Sequence, residues 1–181
     1  MNSFADYQPD AGRQTPDARV DIRGMGADDL DACAQLIVSR TGGPAADRLL
    51  LLQADLHNPD RYSVVACVDD EVVGYAAVIH HKVGPEHPPT VAPTGHYLVG
   101  LIVSPDWRRH GIGELLTMER MRWTATHADA VYYFANLANG AILDLHERFG
   151  FTEVTRDFTF PRAPLKPGTS ILLRAPLPQA T

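Results

Sequence analysis

The tightest constraint on the fold of this chain is a change of backbone regime across residues 98–116. An apolar run, Leu98-Val99-Gly100-Leu101-Ile102-Val103, gives way through Ser104 and Pro105 to Arg108-Arg109-His110-Gly111-Ile112-Gly113, and then to Glu114-Leu115-Leu116. The run has strand character, the glycines mark a tight turn, and the residues after them have helical spacing. The first N–H groups of a helix have no intrahelical partner, so a strand running into a glycine-opened helix presents a cluster of donors suited to a diphosphate. A side chain at 111 or 113 would stand between those amides and an anion, or forbid the turn. Arg108 and Arg109 add positive charge beside them in a chain whose formal net charge is −6, so an anionic ligand meets a local field opposite in sign to the whole. A coenzyme site is the expectation.

The glycine spacing narrows the choice. A dinucleotide fingerprint needs a third glycine where Leu116 stands, and a P-loop needs Gly-Lys-Ser/Thr after its spacer. What remains is R-x-x-G-x-G between a strand and a helix, preceded by Val103-Ser104-Pro105. This segment resembles motif A of the GNAT superfamily of acyl-coenzyme A N-acyltransferases. Asn139-Gly140-Ala141-Ile142-Leu143-Asp144-Leu145-His146-Glu147-Arg148-Phe149-Gly150-Phe151 resembles the same family's other signature, an Asn that begins a helix ending in Gly-Phe. Asn139 is a competent N-cap, Ile142, Leu145 and Phe149 share a helical face, and Gly150 suits the left-handed residue that closes a helix.

The resemblance implies an α/β (α+β) fold: a central mixed, mostly antiparallel sheet of about six or seven strands, splayed at strands 4 and 5 and flanked by about four helices. It implies acetyl-coenzyme A as co-substrate, with no metal. Its pyrophosphate would be held by Arg108, Arg109, His110, Gly111, Ile112, Gly113 and Glu114, mainly through their backbone, with Asn139 also on the coenzyme side. The main chain of Leu101, Ile102 and Val103 would pair with the pantetheine arm, and an N–H aimed at the thioester carbonyl would stabilise the charge that grows there.

The reaction implied is direct acetyl transfer to an amine in a ternary complex. An alkylammonium near pKa ~10.4 must lose a proton before its nitrogen attacks. The family often has a carboxylate on the central strand for this, and Tyr97 stands at the matching position with His96 beside it. A tyrosine is mostly neutral, and His96 points to the opposite face of a regular strand, so core packing or substrate contact competes with a catalytic role for both. His146 stands where the family usually has the tyrosine that protonates the departing thiolate. Imidazole can serve that role or simply fill space. His80 and His81 are expected at the acceptor cleft. A metal reading of His80, His81, Glu86 and His87 fails because adjacent strand residues face opposite ways.

The rest of the sequence fits one domain over 18–175, with a flexible leader at 1–17 and a tail at 176–181. Strands are expected at 19–23, 62–68, 71–81, 96–103, 131–136, 152–160 and 170–174, and helices at 28–39, 44–56, 111–126 and 139–149. The coenzyme helix should bury Ile112, Leu115, Leu116 and Trp123. Asp69-Asp70 is good hairpin-turn chemistry, and Pro85, Pro88, Pro89 and Pro93 make 83–94 a loop. Cys33 and Cys67 sit in apolar patterns as buried free thiols, which fits a reducing compartment. Sixteen basic against twenty-two acidic residues argues against nucleic acid as a partner and is compatible with a cationic acceptor. No membrane segment or targeting peptide is evident, so a cytoplasmic location is expected. Many family members are dimers, so homodimerisation is a further expectation of the resemblance. The acceptor classes that follow are a small amine, with an aminoglycoside-type antibiotic or polyamine leading, or a protein lysine or N-terminus. A non-catalytic acyl-coenzyme A binding module is the third alternative.

Overall fold

A computed structural model of the chain describes residues 19–161, 163, 165, 166 and 168–178. The leader at 1–17 and the end of the tail, 179–181, lie outside the described residues. The elements are β1 (Asp21–Gly24), α1 (Leu30–Thr41), α2 (Ala45–Leu56), β2 (Arg61–Val68), β3 (Glu71–His81), β4 (Gly95–Val103), α3 (Ile112–Ala125), β5 (Ala130–Asn136), α4 (Gly140–Arg148), β6 (Thr152–Thr155) and β7 (Ser170–Pro176), with 3-10 turns at Ala27–Asp29 and Pro105–Trp107. The seven strands run in the order β1-β2-β3-β4-β5-β7-β6. β4 meets β5 in parallel at His96↔Val131 and Tyr97↔Tyr132, near the start of β4. The pairs β1/β2, β2/β3, β5/β7 and β6/β7 are antiparallel. This is the mixed, mostly antiparallel architecture expected from the sequence.

The described residues form two compact units, one of 19–79 with Leu98–Trp123, the other of His80–Tyr97 with 124–178. In the first unit, the β2–β3 hairpin turns on Asp69 (φ 49°) and Asp70 (φ 67°), two left-handed residues whose twist matches that of the strands. β2 reads as a continuous buried run because both of its faces are covered. Val65, Cys67, Tyr75 and Ala77 join Leu30, Cys33, Ala34, Leu36, Leu52 and Ile102 in one core. Val64, Ala66, Val68, Val73 and Ala76 join Ile112 and Leu116 in another. Cys33 and Cys67 are free and buried, as expected, and burial pushes the Cys33 thiol up to about 12.

A register shift sets Ala66 opposite Gly74 but Cys67 opposite Val72, so Val73 is the extra residue of a bulge. Its carbonyl accepts from the Ser104 N–H at 2.8 Å, just past the end of β4. Beside it, Gly74 leaves room for α3: a Cβ there would meet Ile112 Cγ2 and Leu116 Cδ1 at 3.1 Å. The buried face of α3 differs from the expected one. Ile112 and Leu116 are buried, but with Thr117, Arg120 and Thr124 rather than Leu115 and Trp123. Trp123 is half-buried and stacks on Tyr62 with ring centroids 4.8 Å apart.

In the second unit, β5, β7 and β6 carry an aromatic core in which Tyr97 lies 5.1 Å from Tyr132 and 5.0 Å from Phe160. β6 ends at Thr155 instead of reaching residue 160. The Asp157 N–H donates to Thr155 Oγ1 at 3.1 Å, and this local turn competes with the ladder. Thr159 pairs instead with Val91 in an isolated parallel bridge. The proline loop is thereby tied down: Thr159 N–H donates to Thr90 O at 2.8 Å, and Ala92 N–H to Thr159 O at 2.9 Å. Gly150 closes α4 at φ 76° as expected. Asn139 occupies the N-cap position but makes no side-chain capping bond.

Candidate functional site

The glycine-rich loop has the geometry that its sequence requires. After the turn at Pro105–Trp107, Arg108 is extended, Arg109 takes φ 69° and Gly111 takes φ 74° before α3 begins at Ile112. The N–H groups of Glu114 and Leu115 both point back to the Gly111 carbonyl, at 3.0 and 3.1 Å. The helical ladder therefore starts there, and the preceding amides belong to the open end of the helix. A left-handed arginine costs on the order of 1 kcal/mol, and strain of this kind gathers at binding loops. Arg108 is exposed, with Nε 3.4 Å from the Val103 carbonyl, while His110 Nδ1 lies 2.9 Å from the Arg108 carbonyl.

β4 departs from regular strand at Gly100, which is exposed and has φ 68°. Arginines occupy carbonyls on either side. Arg40 Nη1 donates to Leu101 O at 3.0 Å and Arg120 Nη1 to Val99 O at 3.3 Å. Arg120 is fully buried and also donates to Leu116 O at 3.1 Å and Thr117 Oγ1 at 3.0 Å. The acceptor groups of Leu101 and Val103 are thus already engaged by arginines, a refinement of the expectation that the main chain of 101–103 is open to a ligand.

Gly100 and Ile102 also line a pocket of about 240 Å³ in this unit, completed by Ile37, Thr41, Arg48, Leu51, Leu52, Asp55, Arg61 and Tyr75. Asp55 Oδ2 lies 2.9 Å from Arg61 Nε. Burial nevertheless holds the Asp55 carboxyl above its usual range, against the opposing pull of Arg61. The Tyr75 hydroxyl is 3.4 Å from Ser63 Oγ, and burial raises its pKa. Sequence reading missed these residues. The only local signal is the spacing of Arg48, Leu51, Leu52 and Asp55, which puts two charges and two leucines on one face of α2.

The histidines and Tyr97 lie elsewhere, in the second unit. Tyr97 is buried, its hydroxyl donates to Pro93 O at 2.6 Å, and burial drives its pKa far upward. This phenol packs into the aromatic core with its hydrogen committed to a backbone carbonyl. His80 and His96 stack on each other at 4.6 Å. His81 is buried with Nε2 3.1 Å from Ala92 O, and burial lowers its pKa. None of these three histidines lines the pocket. Among the described residues, no group of three or more His, Cys, Asp or Glu is placed to hold a metal ion. His146 is fully buried, stacked on Tyr133 at 3.7 Å and edge-on to Phe151 at 4.9 Å. Its Nδ1 lies 2.8 Å from Ile142 O. A carbonyl only accepts, so Nδ1 carries the hydrogen, and Nε2 can donate a proton only from the doubly protonated ring.

A family model described as "Acetyltransferase (GNAT) family" matches residues 30–151. The chain belongs to this GNAT family. It is accordingly an acetyl-coenzyme A-dependent N-acetyltransferase, and the glycine-rich loop lies within the matched residues. A search of curated proteins gives no match. Solved structures share the fold. One is a GNAT-family acetyltransferase from Streptococcus pneumoniae, with TM-score 0.65 and 13% identity over 88% of this chain and 99% of that one. Another is the ribosomal-protein-S18-alanine N-acetyltransferase from Escherichia coli, with TM-score 0.64 and 18% identity over 90% and 96%. A third is AAC(6')-Iy in complex with the bisubstrate analogue CoA-S-monomethyl-acetylneamine, with TM-score 0.67 and 21% identity over 81% and 99%.

Proposed function

We propose that this GNAT chain transfers an acetyl group from acetyl-coenzyme A to a primary amine of a small molecule. The observation that carries the choice of a small acceptor is the pocket of about 240 Å³ against Gly100 and Ile102, which has room for a compact molecule. The structural likeness to AAC(6')-Iy with its bisubstrate analogue supports the same reading. In the reaction, the ammonium loses one proton, the nitrogen lone pair forms the bond to the acyl carbon, and the carbon–sulfur bond breaks. The sulfur leaves with the bonding pair and takes up a proton.

Asp55 is the pocket carboxylate, and its raised affinity for protons makes it our choice for the group that accepts from the ammonium. The backbone around Gly111 holds the pyrophosphate, and the β4 main chain faces the thioester. His146 is assigned the proton delivered to sulfur. A second reading, acetylation of a protein amine, draws on the likeness to the S18-alanine N-acetyltransferase. No described helix is long and apolar enough to cross a membrane, and we place the reaction in the cytoplasm.

The test is thiol release from acetyl-coenzyme A across a panel of primary amines, including the polycationic acceptors that net charge favours, aminoglycosides and polyamines, together with peptides. Acceptor-dependent thiol with small amines is the expected result. Saturation by peptides alone moves the assignment to a protein amine. Tight coenzyme binding without acceptor-dependent thiol would reduce the protein to a binding module.

A further inference from the structure

The pocket beside β4 has an uneven charge pattern that bears on what the acceptor is. Arg48, Leu51, Leu52 and Asp55 are at positions i, i+3, i+4 and i+7 of α2, which brings them onto one face. Arg48 and Asp55 are therefore roughly 10 Å apart along the helix axis, with leucines between them. Arg61 Nε lies 2.9 Å from Asp55 Oδ2, an ion pair that offsets those two charges. Arg48, half-buried at the other end, makes no ion pair or hydrogen bond among the described residues. Ile37, Leu51, Leu52 and Ile102 supply apolar lining between the polar ends.

Two guanidinium groups against one carboxylate give the lining a net positive charge, although the chain as a whole is negative. A polyamine would add several like charges to it. A half-buried guanidinium without a partner is, conversely, a ready fork for an oxyanion. We propose that this pocket takes a zwitterionic acceptor, an amine that also carries an oxyanion, with Asp55 receiving the ammonium end, Arg48 the oxyanion, and an apolar segment lying over Leu51 and Leu52. The inference rests on the acetyl-transfer reading and names the acceptor class within it. Gly100 and Ile102 belong to the same lining, so an ammonium held at Asp55 is in the pocket that borders the strand assigned to the thioester.

The experiment compares acceptors that differ only at one end. Thiol release from acetyl-coenzyme A is measured with 6-aminohexanoate, 5-aminopentyl phosphate, pentylamine and spermidine, using the full chain and its Arg48→Gln and Arg48→Lys variants. The expected result is a kcat/KM for the carboxylated or phosphorylated amine at least about tenfold above its plain counterpart and above spermidine. Arg48→Gln should bring that ratio to within about twofold, mainly through KM, and Arg48→Lys should restore part of it. Which oxyanion gives the larger ratio tells a carboxylate source from a phosphate source. A wild-type chain that uses spermidine or pentylamine as well as 6-aminohexanoate overturns the proposal, as does an Arg48→Gln variant that keeps the ratio.

Calorimetric titration of 6-acetamidohexanoate, the product of one arm, into the protein with coenzyme A present separates this inference from the transfer reading. If no amine gives acceptor-dependent thiol, the transfer reading fails. The pocket assignment then stands on binding that Arg48→Gln weakens about tenfold, and it falls if the product does not bind.

Discussion

Gly111 and Arg109 both hold left-handed backbone at the mouth of α3, yet they tolerate change differently. A β-branched residue at φ 74° is strained whatever space surrounds it. Gly111→Val is therefore expected to weaken coenzyme A binding by tenfold or more in calorimetric titration, with a far-ultraviolet spectrum that remains that of the folded chain. At His146, phenylalanine keeps the stack on Tyr133 but loses every ring nitrogen. His146→Phe is expected to lower turnover by more than it raises the apparent dissociation constant of the coenzyme, as read from initial rates, and equal turnover would remove His146 from the reaction.

A third residue reports on pH. Arg23 grips Asp29 through two bonds of 2.6 and 2.8 Å, and the Gly26 N–H adds a third at 2.7 Å. The Arg23 bonds chiefly hold the buried Asp29 carboxyl below its usual range. The folded value is lower than the unfolded one near ~3.9, so this group's contribution to stability is complete above that unfolded value. It is lost as pH falls through the folded value. Urea midpoints taken from about pH 5 downward should fall more steeply for the wild type than for Asp29→Asn, and equal slopes would contradict the assignment.

At the scale of elements, strand, turn and helix around the coenzyme loop were legible because glycine positions punctuate them and apolar runs fill the intervals. The same local logic failed on α3. Nothing near Arg120 announces that a charged side chain is buried against the carbonyls of Leu116 and Val99, since Val99 comes from another element, β4. The alternation at 152–160 predicts a longer β6 than forms, because the bond between Asp157 and Thr155 ends the strand at Thr155. The pocket beside Gly100 has no sequence signature for a related reason: α1, α2, β2, β3 and β4 each contribute only one to four of its residues, and no single stretch carries a motif. Packing between elements gives its own prediction. Gly74→Val places methyl groups where Ile112 and Leu116 already approach a Cβ position to 3.1 Å. The expected cost is about 1–3 kcal/mol in urea unfolding, together with weaker coenzyme binding, because the displaced helix is the one that opens the loop.

For the molecule as a whole, the sequence offered its formal charge of −6 as a hint of a cationic acceptor, and the local lining of the pocket points to a different chemistry. Net charge averages over a surface, whereas a ligand feels the few groups within a Debye length. Coenzyme binding should also be visible globally. At a coenzyme A concentration of roughly 100 times its dissociation constant, the folded chain gains about 2.7 kcal/mol. For a chain of this size that corresponds to a rise in melting temperature of roughly 5–10 °C. Calorimetry should show this rise for the wild type and little of it for Gly111→Val.

The bulge at Val73, whose carbonyl secures Ser104, means that the glycine-rich loop is not a portable cassette. Transplanted without its neighbouring strand, or beside one with a different residue count, it would lose the peg that sets its entry angle. Insertions and deletions in the first hairpin are therefore a hidden route by which this enzyme could drift in its hold on the coenzyme.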